Sequence, residues 1–235
     1  VLERVAEIWR GAGDLESLAR VTAKIGWSHA GRGTPGEGIE CIQPLLESLG
    51  ASGPSSGLAE LYTGLCWLFY ASGRYRESLA AGEQAAALAR IVGDDQLLAR
   101  AEASRGDALA AVGRVDDALT VIEEALSLAE AADGVDMPYV TQPLIDVAYI
   151  QYWRGALEAS RLANDRALAA LERLGDQQWM AFLLANRALV ALVAGESRRA
   201  RAELEQAVAL IRRQDESWMS PYPLYGLGQL CAVEG

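Results

Sequence analysis

The sequence predicts an all-α protein of antiparallel helical hairpins stacked one after another, and three observations carry that prediction. Six small residues, Gly26, Cys66, Gly106, Ala148, Ala188 and Gly228, recur at intervals of 40, 40, 42, 40 and 40 positions. In the same register follow Gly33, Gly73, Gly113, Gly155 and Gly195, then Gly38, Ser78, Ala118, Ser160 and Ala200, then Leu45, Ala85, Ala125, Ala167 and Ala207. Hydrophobic residues make up 51% of the chain, with Ala, Leu and Arg abundant and β-branched residues scattered, a composition for helices. Self-similarity at this length marks units that bury their apolar faces only against their neighbours.

Residues 1–13 align with the end of a second helix and so open the array. Full hairpins are expected over 14–53, 54–93, 94–135, 136–175 and 176–215, and residues 216–235 supply the first helix of one more. Within each hairpin a glycine, as in Gly73-Arg74-Tyr75, ends the first helix in the left-handed conformation, and the short turn folds the second helix back. The recurring small residue lets the two backbones approach where a bulky side chain would hold them apart. Between hairpins the punctuation is Gly13-Asp14, Ser52-Gly53-Pro54, Gly93-Asp94, 134–136 and Gly175-Asp176, where glycine stops one helix and aspartate caps the next.

The two extra residues of the 42-residue step belong in the loop 133–138. Pro143 and Pro223 hold equivalent positions near the start of first helices, where amides have no intrahelical acceptor. Pro44 falls inside a second helix and is expected to kink it. Both ends of the array look cut, and the chain starts at Val1 with no signal-peptide pattern, so the sequence reads as a single repeat domain, 1–235, excised from a larger protein.

Composition excludes several classes of function. A net charge of −11 with acidic and basic residues interspersed disfavours direct nucleic-acid binding. No apolar stretch reaches the ~20 residues of a membrane span. Cys41, Cys66 and Cys231 lie far apart and read as buried thiols of a cytoplasmic protein, with no metal site. The sole histidine, His29, has no nucleophile and carboxylate at catalytic spacing and reads as a surface or capping residue. Phosphate-binding glycine patterns are missing, and adjacent carboxylates such as Asp116-Asp117 read as caps and solvated faces. No catalytic residue and no cofactor is expected.

The segments Gly73-Arg74-Tyr75-Arg76-Glu77-Ser78 and Gly113-Arg114-Val115-Asp116-Asp117-Ala118 resemble the tetratricopeptide repeat (TPR), with a small residue in helix A, glycine at the turn and alanine twice in helix B. The period near 40 is longer than the 34 of that repeat. Longer units ending in Gly-Asp look like the repeat regions of large bacterial regulators, the maltose-regulator-like and LuxR-type transcription factors and related ATPase or nucleotide-cyclase proteins. The resemblance implies a right-handed superhelix with first helices lining the concave wall, and a sensing and assembly role beside a nucleotide-binding switch. Lys24 is the only lysine, which disfavours the lysine clamp for peptide carboxylates found in some chaperone adaptors of this fold.

The aromatic residues concentrate in first helices. Trp27, Trp67 and Tyr149 share a column one residue beyond the small residue, and Tyr70 and Tyr152 share another. With Trp153 and Phe182, and with Arg20, Arg100, Asp107, Asp146 and Asn186 as polar neighbours, they form a candidate groove for a peptide, a partner helix or a small organic effector. The same rings also fit a space-filling role between helices, Phe69 and Tyr62 above all, and their solvent exposure decides between the two. The expectation is therefore a non-catalytic protein- or effector-binding domain of a bacterial signalling or transcription regulator. The alternative is a constitutive interaction scaffold, and such a surface also admits self-association.

Overall fold

A computed structural model describes residues 1–131, 138–212 and 221–234. Among them are twelve α-helices and no strand. The chain divides into two compact units, Val1–Val135 and Asp136–Gly235.

The first unit holds α1 (Leu2–Ala12), α2 (Leu15–Gly31), α3 (Pro35–Gly50), α4 (Ser56–Ala71), α5 (Tyr75–Val92), α6 (Asp95–Ala111) and α7 (Val115–Ala131). The second holds α8 (Pro138–Trp153), α9 (Leu157–Leu174), α10 (Gln177–Val193), α11 (Ser197–Ile211) and α12 (Pro221–Glu234). The even-numbered helices are the first helices of the hairpins. Gly33, Gly73, Gly113, Gly155 and Gly195 all take positive φ, between 72° and 88°, at the hairpin turns. Side chains with a Cβ avoid this region, so glycine sets where each first helix stops. At the other junctions Asp14, Asp94 and Asp176 accept hydrogen bonds from the amides of Ser17, Leu97 and Trp179.

Packing follows one rule in each unit. First helices pack on their own second helix and on the next first helix, as α2 on α4 and α4 on α6, and each second helix also packs on the next first helix, as α3 on α4 and α5 on α6, while second helices do not meet one another among the described residues. The small-residue column sits at the hairpin contact. A Cβ on Gly26 would lie 3.1 Å from Ile42 Cδ1, and one on Gly106 would lie 2.3 Å from Ile122 Cγ1. At Cys66 and Ala148 the partner helix adds a clasp: Ser78 Oγ donates to the Cys66 carbonyl and Ser160 Oγ to the Ala148 carbonyl, each at 2.7 Å. The core of the first unit joins Ala23, Ile42, Leu61, Leu68, Leu88 and Ala108; one cluster of the second joins Ala188, Ala200, Leu204 and Leu230.

Several expectations need correction. Gly228 is exposed with no atom within 4 Å of a Cβ, because α12 has no second helix of its own hairpin among the described residues; Gly226 instead closes on Leu204 of the preceding second helix, α11, 2.4 Å from its Cβ position. Pro44 does lie inside the second helix α3, which is continuous from Pro35 to Gly50. Pro143 lies inside α8, in its second turn, since the helix begins at Pro138. Only Cys66 is buried; Cys41 and Cys231 are exposed, Cys41 falling between the inward positions Ile39 and Ile42 of its helix. The two-residue insertion placed at 133–138 falls almost wholly outside the described residues.

Candidate functional site

Each first helix presents a stripe at six and two positions before the small residue and at one and five beyond it, spacings of 4, 3 and 4 that keep one helix face. Within a unit, some equivalent stripe positions of successive first helices touch. In the first unit Arg100 is paired with Glu60, its counterpart in the preceding first helix, and Trp27 stacks on Trp67 with centroids 5.3 Å apart and planes at 20°. Trp67 stacks in turn on Tyr70 (5.6 Å, 12°), and Tyr70 meets Tyr75 at the start of α5 (5.7 Å, 59°). Trp27 is 42% exposed; Trp67 and Tyr70 are half-buried.

Asp107 holds the next position of the Trp27 and Trp67 column. Burial raises its carboxyl to about 7. The Cys66 thiol behind it is raised to about 12, chiefly by burial, opposed by the hydrogen bond with Ser78 and reinforced by the charge of Asp107. Such a thiol is inert as a nucleophile at neutral pH.

The second unit brings together Tyr149, Tyr152, Trp153, Phe182 and Tyr222. Tyr152 meets Trp153 at 5.4 Å and 74°, and Tyr149 meets Trp153 at 6.0 Å and 75°. Phe182 lies 6.4 Å from Tyr149 and 4.7 Å from Tyr222, the latter at 80°, and also takes the edge of Trp179. Trp153 is 68% exposed and Tyr149 38%, whereas Phe182 is buried. Asp146 and Asn186 are buried as well, so they belong to the layer beneath the rings. Asn186 Nδ2 reaches Asn164 Oδ1 on α9 at 3.4 Å, and Asn164 Nδ2 donates to the Ser160 carbonyl. Arg20 is exposed on α2.

Sequence reasoning passed over Tyr75 and Trp179 as site residues. Trp179 stands three residues before Phe182, the spacing of facing residues on a helix; Tyr75 opens a second helix and only its fold-back toward Tyr70 reveals it. His29 Nδ1 lies 3.0 Å from Thr34 Oγ1 and 3.5 Å from Glu37 Oε2, bridging the turn from α2 to α3. Among the described residues no three His, Cys, Asp or Glu side chains gather as metal ligands. An open groove of about 620 Å³ among α5, α6 and α7 carries Arg90, Glu102, Glu123 and Glu124 and no aromatic ring. Its one buried carboxylate, Glu102, is held by Arg90 and by Arg105 Nε at 2.6 Å.

Solved structures share this hairpin stack over most of its length. A putative kinesin light chain from Podosopora anserina with nearly identical TPR-like repeats covers 84% of this chain and is covered over 97% of its own, at 15% identity and a TM-score of 0.60. The fold is the TPR-like helical repeat. The TPR-like stack also matches BtubC (BKLC) from P. vanneervenii, at 17% identity and a TM-score of 0.71 over 91% of this chain and 89% of that one. PlcR from Bacillus thuringiensis, solved in complex with the peptide PapR7 and DNA, aligns at 12% identity and a TM-score of 0.72 over 88% of this chain and 73% of its own. No family model and no curated protein sequence matches the chain.

Proposed function

We propose that this TPR-like array is a non-catalytic domain that binds a peptide or protein segment along its first helices, within a bacterial signalling or transcription regulator of the maltose-regulator-like or LuxR type. The observation that carries the reading is the exposure of large rings on first-helix faces in both units: Trp27, Tyr149, Trp153, Tyr222 and Tyr225 all stand open to solvent. Exposed aromatic clusters of this size anchor partners, since each ring buries a large area at a small cost in side-chain entropy. The peptide held by PlcR, a protein with a similar stack, supports an extended peptide as the occupant. No described helix is long and apolar enough to cross a membrane, which accords with a cytoplasmic location.

Panning the whole chain against a random peptide library tests the binding. Selected peptides are expected to lose at least tenfold in affinity for Trp67→Ala or Tyr149→Ala; unchanged binding by both variants refutes the groove. Sequence flanking the array tests the regulator: a P-loop ATPase before it, or a helix-turn-helix or cyclase domain after it, is the expected context, and further repeats alone favour a constitutive scaffold.

A further inference from the structure

The ring cluster of the second unit forms a cup with a chemical bias of its own. Tyr149 and Trp153 come from α8, Phe182 from α10 and Tyr222 from α12; Tyr149 with Trp153 and Phe182 with Tyr222 form edge-to-face pairs, and Tyr149 meets Phe182 tilted at 40°. Edge-to-face pairs leave ring faces open that stacked pairs cover. Burial raises the Tyr152 hydroxyl, and the phenols of Tyr225 and Tyr149 raise it further; burial and Tyr149 act in the same way on Tyr222. The phenols of α8 and α12 thus sense one another, and their surroundings resist negative charge. These helices bring little positive charge of their own. The single arginine within them, Arg187, is held 2.9 Å from both Asp165 Oδ1 and Glu203 Oε1. Open π faces, gathered phenol oxygens and a chain of net charge −11 all favour a cation.

We propose that this cup takes the cationic side chain of an arginine or lysine in the bound peptide, with the guanidinium or ammonium against the faces of Tyr149, Trp153 and Tyr222. The inference rests on the peptide-binding reading above and adds the residue class that the second unit selects. In the first unit Trp67 is stacked on both Trp27 and Tyr70.

The test follows the indole N–H signals of the ¹⁵N-labelled chain, with that of Trp153 assigned from Trp153→Phe. The probes are glycine–serine heptapeptides, capped at both ends, with arginine, lysine, leucine or glutamate at the centre. The arginine and lysine peptides are expected to move the Trp153 signal to saturation about tenfold more tightly than the leucine peptide, the scale of one desolvated cation–π contact, and the glutamate peptide to leave it in place. Tyr149→Leu and Tyr222→Leu, both at exposed positions, should erase the preference with helical circular dichroism unchanged, while Tyr149→Phe and Tyr222→Phe should keep it. Equal affinity for leucine and arginine, or arginine shifts confined to Trp27 and Trp67, overturns the cup and leaves the peptide reading standing. Silence of Trp153 toward all four probes overturns the cup; if library panning also yields no binder, the peptide reading falls with it.

Discussion

The first-helix faces of the two units use the same stripe of positions and fill it differently. In the first unit Trp27 and Trp67 occupy one column on adjacent helices and lie nearly parallel at 20°. In the second, Phe182 and Tyr222 also share one column on adjacent helices and touch at 4.7 Å, yet their planes stand at 80°. A shared column therefore secures contact and leaves the ring angle undetermined. Burial goes with the difference: the pair of broad, partly exposed indoles lies flat on itself, while Phe182 is sunk among helices, near perpendicular to Trp179 and Tyr222 and tilted at 40° to Tyr149. One unit presents rings stacked nearly flat, the other rings set at steep angles.

The comparison can be broken at the hairpin contact that both units share. Ile122→Ala, at a fully buried site beneath Gly106, should cost about 2–5 kcal/mol in urea unfolding. A loss below about 1 kcal/mol would show that this contact does not hold the first unit together. Gly106→Ala should destabilise by about 1–3 kcal/mol because its Cβ would overlap Ile122. Gly228→Ala, in the same column but facing open space, should instead stabilise by up to about 1 kcal/mol through helix propensity. Equal signs for the two substitutions would refute the packing role of the column.

The serine clasps should be equivalent in the two units. Ser78→Ala and Ser160→Ala each remove one buried hydrogen bond to a carbonyl and should each cost about 1 kcal/mol in thermal unfolding; a large inequality would mean that one clasp is ornamental. A last effect is a slope with pH. With the Asp107 carboxyl raised to about 7 in the fold, the native state binds more protons than the unfolded chain between pH 4 and 7. Its contribution to stability therefore falls as pH rises through that window. Asp107→Asn should flatten the dependence, and an unchanged slope would assign it to other groups.

The architecture was largely legible in the sequence, because period is a property of the chain. The column of Gly26, Cys66 and Gly106 located the hairpin contacts, and Gly33, Gly73 and Gly113 the turns. What escaped depends on which helix stands opposite. Gly228 continues the column but has no second helix of its own hairpin to pack on among the described residues, and the work passes to Gly226, which the register does not mark. Asp146 and Asn186 share a helix face with exposed rings and are buried all the same, Asn186 against Asn164 of α9. Cys41 looked buried by residue type and is exposed by its place between Ile39 and Ile42. The rings of the site were found by counting; their angles were beyond counting.

Sharing of first helices has a mechanical meaning. Within its unit α6 packs on α4, α5 and α7, and α10 packs on α8, α9, α11 and α12, while no second helix meets another among the described residues. First helices are thus the nodes, and second helices the braces between consecutive nodes. A guest that shifts one node strains the braces on both sides of it, so occupancy spreads within the unit that holds it.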